Sequence, residues 1–245
     1  MNLHILGSSS SGNCYILETA TEALIIEAGV RMSDVKKALR WNIGKAVACV
    51  VSHTHGDHAG YIREMAASGV LVLTGQETLE NHGMVGNPFA KEITAGRGYK
   101  VANFRIRPLS VKHDVPCFAY IIEHDEMGRL LFVTDTVSFD YIVPKASHIL
   151  IEANYSDDIV ADNIERGSMP ASLRPRLLNS HMSIEETKAV LASQDLSQTD
   201  NIVLIHLSGG NSDEARFVRE VREQTGKMVC AAKPGMTIDV SLKPY

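Results

Sequence analysis

The feature that most constrains this chain is a run of three histidines and one aspartate within six residues, His53-Thr54-His55-Gly56-Asp57-His58. It directly follows residues 47–52, a continuous apolar stretch that predicts a buried strand. Imidazole nitrogens and carboxylate oxygens are the natural ligands of zinc and similar divalent ions. Gly56 lets the backbone turn closely around an ion. Four such donors within six residues predict two metal sites side by side. His53 and His55 would face the first ion, and Asp57 and His58 the second.

The composition and charge of the chain argue against several other classes of protein. The 245 residues carry a net charge of −5, which is unlike an unselective nucleic-acid binder and requires any polyanion site to be a local basic patch. No apolar run reaches the roughly 20 residues of a membrane helix, and no secretion signal is evident. We therefore expect a cytoplasmic protein without a membrane anchor, folded as one domain over residues 1–245. Scattered cysteines indicate free thiols in a reducing compartment: Cys14, Cys49, Cys117 and Cys230.

Short apolar segments and amphipathic segments alternate along the chain. Strands are predicted at residues 3–6, 14–18, 23–27, 47–52, 70–73, 104–108, 118–123, 130–134, 148–152, 201–206, 228–231 and 236–240. Helices are predicted at 33–40, 57–68, after Gly75, at 183–193 and at 213–225. The polar segment 155–180 has weak periodicity and is either functional or partly helical. Two comparable halves of this kind predict an α/β (α+β) fold with two packed sheets and helices outside.

The histidine run resembles the signature of the metallo-β-lactamase superfamily, whose fold is an αββα sandwich of two mixed β-sheets packed face to face. The other elements of that signature can be matched in order. They are His113 in Ser-Val-Lys-His-Asp, Asp135 in Leu-Leu-Phe-Val-Thr-Asp-Thr and His206 in Ile-Val-Leu-Ile-His-Leu-Ser, each at the end of a predicted strand. The resemblance covers nearly the whole chain and implies a metal-dependent hydrolase.

The same resemblance implies a centre with two divalent metal ions. Zinc is the expected metal and manganese the alternative, because a nitrogen and oxygen donor set suits both. In one departure, Glu27 stands where the superfamily usually has an aspartate that supports the ligands through hydrogen bonds. The implied ligands are His53, His55 and His113 for the first ion, Asp57, His58 and His206 for the second, and Asp135 between them.

Two segments resemble the WalJ (YycJ) subgroup, which is regarded as DNA-processing and exonuclease-like. The opening Gly-Ser-Ser-Ser-Ser-Gly-Asn-Cys over residues 7–14 is similar to the subgroup's Gly-Ser-Ser-Gly-Asn-Cys, and His-Leu-Ser-Gly-Gly-Asn over 206–211 to its His-Leu-Ser-x-x-Asn. A Gly/Ser loop offers N–H groups and hydroxyls to an anion, although it is also an ordinary turn. The resemblance implies substrate contacts by Ser10, Ser11, Asn13 and Asn211.

Residues 154–186 resemble the segment that precedes a helix in the same subgroup. Met182 and Ile184 depart from the subgroup's His-Leu-Ser-Asn-Glu pattern there. Three arginines of this segment are candidates for phosphate binding, because a guanidinium fork matches phosphate oxygens. Solvated surface arginines are the alternative for each of them. The three are Arg166, Arg174 and Arg176.

Two further motifs resemble ribonuclease Z. Ile-Glu-Ala-Asn over residues 151–154 is similar to its His-Glu-Ala-Thr, and His-Met-Ser over 181–183 stands where that enzyme has His-Ser-Thr. The resemblance implies that Glu152 orients His181 and that His181 protonates the leaving oxygen. Asp57 and Asp135 would hold the attacking water, and either could accept its proton. The implied reaction is hydrolysis of a phosphodiester in DNA or RNA.

A second function remains open at this point. A small-molecule hydrolase acting on a cyclic nucleotide, thioester or lactone would use the same ligands without an extended basic groove. A redox di-metal protein would need an electron-donor domain, and the sequence shows none. A non-catalytic relative would lack metal ligands, and none is missing from the sequence. A positive channel that continues from the metal cleft favours the nuclease, and a closed apolar pocket favours the small substrate.

Overall fold

A computed structural model describes residues 1–242, in which two seven-stranded sheets lie face to face with helices on their outer sides. The first sheet contains β1 Asn2–Gly7, β2 Cys14–Glu18, β3 Ala23–Ile26, β4 Ala46–Val50, β5 Val72–Thr74, β6 Ala90–Glu92 and β14 Thr237–Asp239. The second contains β7 Tyr99–Val101, β8 Phe104–Val111, β9 Cys117–His124, β10 Gly128–Val133, β11 His148–Glu152, β12 Asn201–Ile205 and β13 Met228–Ala231. The predicted αββα sandwich is confirmed.

The helices are α1 Met32–Ala38, α2 Gly56–Ala59, α3 Ile62–Ala67, α4 Gln76–Asn81, α5 Asp157–Glu165, α6 Arg174–Ser180, α7 Ile184–Ser193 and α8 Glu214–Thr225, with 3₁₀ turns at Ile43–Lys45 and Ala171–Leu173. The segment 155–180 is therefore partly helical, as one of its two interpretations expected. No helix within residues 1–242 has both the length and the apolar character that crossing a membrane requires.

Both sheets are mixed, and their parallel halves position the site. In the order β14-β1-β2-β3-β4-β5-β6, the pairs up to β3 are antiparallel and those from β3 to β6 are parallel. In the order β13-β12-β11-β10-β9-β8-β7, the pairs among β7 to β10 are antiparallel and those from β10 to β13 are parallel. Parallel strands end at the same edge of a sheet, so the residues that follow β10, β11 and β12 come together.

Side-chain alternation along the strands builds three apolar layers. On β2, Tyr15 faces the opposite sheet and Ile16 faces the helices. Tyr15 meets Phe132 of β10 edge to face across the space between the sheets, with ring centroids 5.5 Å apart. The outer layers bury Val35 of α1 against the first sheet and Phe217 of α8 against the second. The strand ends that carry the site are thereby held by apolar packing on both faces.

The prediction of one helix over residues 57–68 is wrong, because α2 and α3 are separate. The carbonyl groups of Asp57 and His58 accept hydrogen bonds from the backbone N–H groups of Asn13 at 2.8 Å and Ala28 at 2.7 Å. These carbonyls are therefore not available for the next helical turn. The same bonds tie the histidine run to the loops that flank β2 and β3.

Candidate metal centre

The side chains that the sequence suggested as metal ligands converge at one edge of the two sheets. His53 and His55 follow β4, His113 follows β8, Asp135 follows β10 and His206 follows β12. The remaining two, Asp57 and His58, lie in α2. Five of the seven border a cleft of about 310 Å³ with a charged and polar lining, whereas His53 and His58 are fully buried.

Three ring nitrogens form the first cluster. His53 Nε2 lies 3.0 Å from His55 Nδ1, and His113 Nε2 lies 3.3 Å from the same atom. Ligands about 2.0–2.1 Å from a tetrahedral zinc ion are about 3.3 Å from each other. His113 Nδ1 donates to the Ser180 carbonyl at 2.8 Å, which leaves a neutral ring with its lone pair on Nε2. Asp135 Oδ2 completes the cluster at 4.0 Å from both His53 and His113.

The second cluster joins two carboxylates and two imidazoles. His58 Nε2 lies 3.2 Å from Asp135 Oδ1 and 3.4 Å from Asp57 Oδ2. His206 Nε2 also lies 3.4 Å from Asp57 Oδ2 and, within the described residues, is a buried atom without a hydrogen-bond partner. A divalent metal ion bound here would satisfy this buried imidazole nitrogen. Both donor sets therefore fit divalent ions, with Asp135 shared between them.

Glu152, at the end of β11, is fully buried beside the second cluster. Its carboxylate accepts hydrogen bonds from His181 Nδ1 at 2.7 Å and from His206 Nδ1 at 3.0 Å. The backbone N–H groups of Met182 and Thr136 donate to its other oxygen at 3.0 and 3.3 Å. Four donors fix this carboxylate, and it in turn fixes the rings of His181 and His206.

The two clusters differ in their electrostatics. Burial lowers the pKa of His53, and the nearby His58 lowers it further, so the ring is a neutral lone-pair donor. Burial would also lower the pKa of His206, but Asp135, Asp57 and Glu152 outweigh it and raise that pKa to about 10. The carboxylates around the second cluster therefore require nearby positive charge, which a divalent ion would supply in place of protons.

Two residues at the site hold a left-handed backbone. Glu27 has φ 67° and His206 has φ 54°. Such a conformation is uncommon for residues other than glycine and persists where the surroundings impose it. The Glu27 carboxylate accepts from the Ser52 backbone N–H at 3.2 Å and lies 3.5 Å from His58 Nδ1. It thus occupies the supporting place that the sequence suggested for it.

Only two of the residues suggested to contact substrate line the cleft in the described part of the chain. Ser10 and Arg176 border the cleft. Asn13 is fully buried beneath it, with Nδ2 3.1 Å from His58 Nε2, and so does not line the cleft. Arg166 pairs with Asp162 at 2.9 Å along α5. The others are also absent from the cleft lining: Ser11 is exposed, Arg174 lies 4.0 Å from Asp157, and Asn211 accepts a hydrogen bond from Asn163.

Asp114 is a cleft residue that the sequence reasoning missed. Its Oδ1 lies 3.0 Å from His113 Nε2 and 3.5 Å from His55 Nε2. Its position next to His113 was the available signal, since a carboxylate that directly follows a metal-binding histidine shares its turn. Asp114 adds a further negative charge at the outer side of the first cluster.

Comparisons with known proteins agree with this geometry. Residues 9–150 match the family model described as the metallo-beta-lactamase superfamily. The chain is 28% identical over 224 residues to exodeoxyribonuclease WalJ of Streptococcus pneumoniae, covering 85% of this chain and 82% of that protein. It is 25% identical over 244 residues to exodeoxyribonuclease YycJ of Bacillus anthracis, covering 92% and 91%.

Solved structures show the same fold at low sequence identity. The metallo-beta-lactamase fold protein YhfI from Bacillus subtilis is 16% identical with a TM-score of 0.75, covering 97% of this chain and 99% of that one. The short form of human tRNase Z is 15% identical with a TM-score of 0.60, covering 99% and 100%. Since the family model spans more than half of the chain and the ligand order is intact, the chain belongs to the metallo-beta-lactamase superfamily.

Proposed function

We propose that this chain is a nuclease that hydrolyses phosphodiester bonds of nucleic acid with two divalent metal ions. The observation that carries the proposal is the Glu152–His181 pair, whose 2.7 Å hydrogen bond lies directly beside the second cluster. The WalJ and YycJ relatives, both named exodeoxyribonucleases, support DNA as the substrate.

The ligand assignment is part of the proposal. The first ion would be held by His53, His55 and His113, and the second by Asp57, His58 and His206, with Asp135 between them. When bound, the ions would polarise the phosphodiester and lower the pKa of an attacking water. We propose zinc, and manganese as the alternative, because only nitrogen and oxygen donors are present in the clusters.

The side chains of the cleft have separate roles. Arg176 and Ser10, which border the cleft, would bind nonbridging phosphate oxygens, and a guanidinium can make a bidentate contact with them. Asp57, at the floor of the cleft, would orient the attacking water and accept its proton. His181 would give its Nε2 proton to the leaving oxygen while its Nδ1 stays bound to Glu152. Glu152 is a positioning residue for this step.

The lining of the cleft favours a phosphodiester over a thioester or lactone. Three carboxylates, Asp57, Asp114 and Asp135, border it together with the guanidinium of Arg176, and no apolar side chain among the described residues lines it. An acyl chain would need apolar walls. Within the proposal, residues 1–245 act as one catalytic domain, since both sheets share one core, and the free thiols are in keeping with the cytoplasm.

The test is metal analysis and a substrate panel on one preparation. We expect close to two metal equivalents per chain, and cleavage of labelled DNA or RNA and of a nitrophenyl phosphodiester that stops on chelation and returns with zinc or manganese. Turnover of thioesters or lactones but of no phosphodiester would refute the nuclease. A chelated preparation with unchanged turnover would refute metal dependence.

A further inference from the structure

A second groove lies on the outer face of β8, and we propose that it binds single-stranded nucleic acid and guides it to the metal centre. This groove, called here the β8 groove, has a volume of about 570 Å³. Residues of β7, β8, β9 and β10 form its floor, and residues 141–144 form one wall. The inference rests on the proposed function and adds a substrate form to it.

The charge of the β8 groove suits a polyanion. Its lining contains four cations, Lys100, Arg105, Arg107 and Arg129, against one carboxylate, Glu123. This excess of positive charge occurs on a chain whose net charge is −5. Arg105 and Arg129 pair with Glu123, and Arg105 also with Asp125, whereas Lys100 and Arg107 form no ion pair within residues 1–242. Two cations are therefore available to neutralise phosphates without breaking an existing contact.

The wall of the groove offers an exposed aromatic ring and an exposed aliphatic side chain. Tyr141 is 41% exposed and Ile142 is 70% exposed. The backbone that carries them is fixed, because Gln194 Nε2 donates to the Tyr141 carbonyl at 3.0 Å and the Val143 N–H donates to Gln194 Oε1 at 2.9 Å. A fixed exposed ring beside cations is the arrangement on which unpaired bases stack. A duplex keeps its bases stacked inside the helix and could not use it.

The end of β8 connects the β8 groove to the metal centre along the chain. Tyr141 also borders a smaller cavity of about 360 Å³, together with Ser110, Lys112 and Asp140. Lys112, a cation that borders this smaller cavity, immediately precedes His113. Between Arg107 and His113 the chain covers about 20 Å, which a stacked single strand at about 3.4 Å per nucleotide spans in about six nucleotides. A strand in the groove would thus reach the cleft along β8.

Binding of the metal-loaded protein to fluorescent phosphorothioate oligothymidylates, which resist hydrolysis, tests the inference. Anisotropy should show affinity rising steeply between four and about ten nucleotides. The double variant Lys100→Ala/Arg107→Ala should reduce the slope of log affinity against log salt by about 1.4, at about 0.7 per lost phosphate contact. Tyr141→Ala should weaken binding of the ten-nucleotide strand about tenfold, whereas Tyr141→Phe, which keeps the ring, should not.

Arg219→Ala is the matched control, since this exposed arginine lies on α8 at the opposite edge of the second sheet and forms no ion pair in the described residues. It should bind like the wild type. Length-independent binding, variants that bind like the wild type, or tighter binding of a duplex than of a single strand would overturn the inference.

The outcome for the groove can be read separately from that for the proposed function. Turnover of a nitrophenyl phosphodiester, which occupies the cleft alone, should be the same in wild type and groove variants. Length-dependent binding without hydrolysis of any phosphodiester would support binding of a strand in the β8 groove and refute the proposed nuclease activity. Normal nuclease activity, with no effect of the groove variants on the binding of long strands, would support the proposed nuclease activity and refute strand binding in the β8 groove.

Discussion

Replacing His181 with alanine should slow the cleavage of a phosphodiester with a poor leaving group much more than that of one with a good leaving group. Burial would lower the pKa of His181, but Glu152 and Asp135 outweigh it and raise that pKa above its ordinary value. The raised pKa favours the protonated ring, which is the form that can donate a proton. Nδ1 is held by Glu152, which leaves Nε2 for the leaving oxygen. The side chain is about 20% exposed and borders the cleft, so its removal does not open the core.

The size of the effect follows from the proton that is lost. General acid catalysis contributes about 10²- to 10⁴-fold, which corresponds to about 2.7–5.5 kcal/mol of barrier. We expect kcat for an oligonucleotide to fall within this range, because its alkoxide departs poorly without a proton. A nitrophenolate departs as an anion, so kcat for the nitrophenyl phosphodiester should fall less than about tenfold.

The assay compares kcat for both substrates in wild type and His181→Ala, with metal content measured on the same samples. Metal content should not change, because His181 is outside both proposed ligand sets. An equal loss on both substrates would mean that His181 binds the phosphate or supports the fold. No loss on either would remove it from the mechanism, and the proposed nuclease would lose its main structural support.

Three further predictions concern separate parts of the molecule. Asp57→Ala should lose about one metal equivalent by elemental analysis and more than about 10³-fold in kcat, with unchanged circular dichroism. The control Asp34→Ala on α1 should keep both its metal content and its kcat. Full activity of Asp57→Ala would exclude the two-metal assignment. Arg176→Ala should raise KM for a phosphodiester about tenfold, and Arg166→Ala, whose partner is Asp162, should leave KM unchanged; equal effects would remove Arg176 from substrate binding. Burial would raise the pKa of Glu22, but hydrogen bonds from Asn103 and His124 lower it below its ordinary value. The contribution of the Glu22 carboxylate to stability is therefore present above about pH 4.3 and lost as pH falls through its lower pKa in the folded state. The loss of unfolding free energy caused by Glu22→Gln, measured with urea, should therefore shrink from pH 7 to pH 3. The same loss at both pH values would contradict this prediction.

The convergence of the suggested metal ligands was predictable from the sequence because most of them come soon after a strand ends. These are His53, His55, His113, Asp135 and His206. A histidine or aspartate at the end of a buried strand, as in His113 or Asp135, leaves the core at the edge where sites form in such sheets. Chemistry and position therefore coincide in the printed sequence. The capping residue Ser183 was predictable for a similar reason, because its hydroxyl accepts from the Glu186 N–H three residues later, at 3.1 Å.

Other features depend on contacts between distant parts of the chain and leave no local pattern. The strands β6 and β7 have three residues each, too few to establish alternation. In α5 only Val160 is fully buried, so its helical period is weak. The end of α2 is set by backbone donors from Asn13 and Ala28, which lie far from it in sequence. The β8 groove likewise joins four cations from three strands, β7, β8 and β10, that are separated by loops.

The arrangement around Glu152 links the two halves of the proposed mechanism. The same carboxylate oxygen accepts from His206, a proposed ligand of the second ion, and from His181, the proposed acid. A movement of His206 on metal binding would therefore also shift His181, because both rings donate to Glu152 Oε1. The left-handed backbone of His206, at φ 54°, limits its movement, as do the Asn154 side chain, which donates to the His206 carbonyl at 2.8 Å, and Ser8 Oγ, which accepts from its N–H at 2.9 Å. Strain and hydrogen bonds at this residue thus hold the acid and the second metal site in one fixed relation, which suits a reaction whose attack and departure occur on opposite sides of one phosphorus atom.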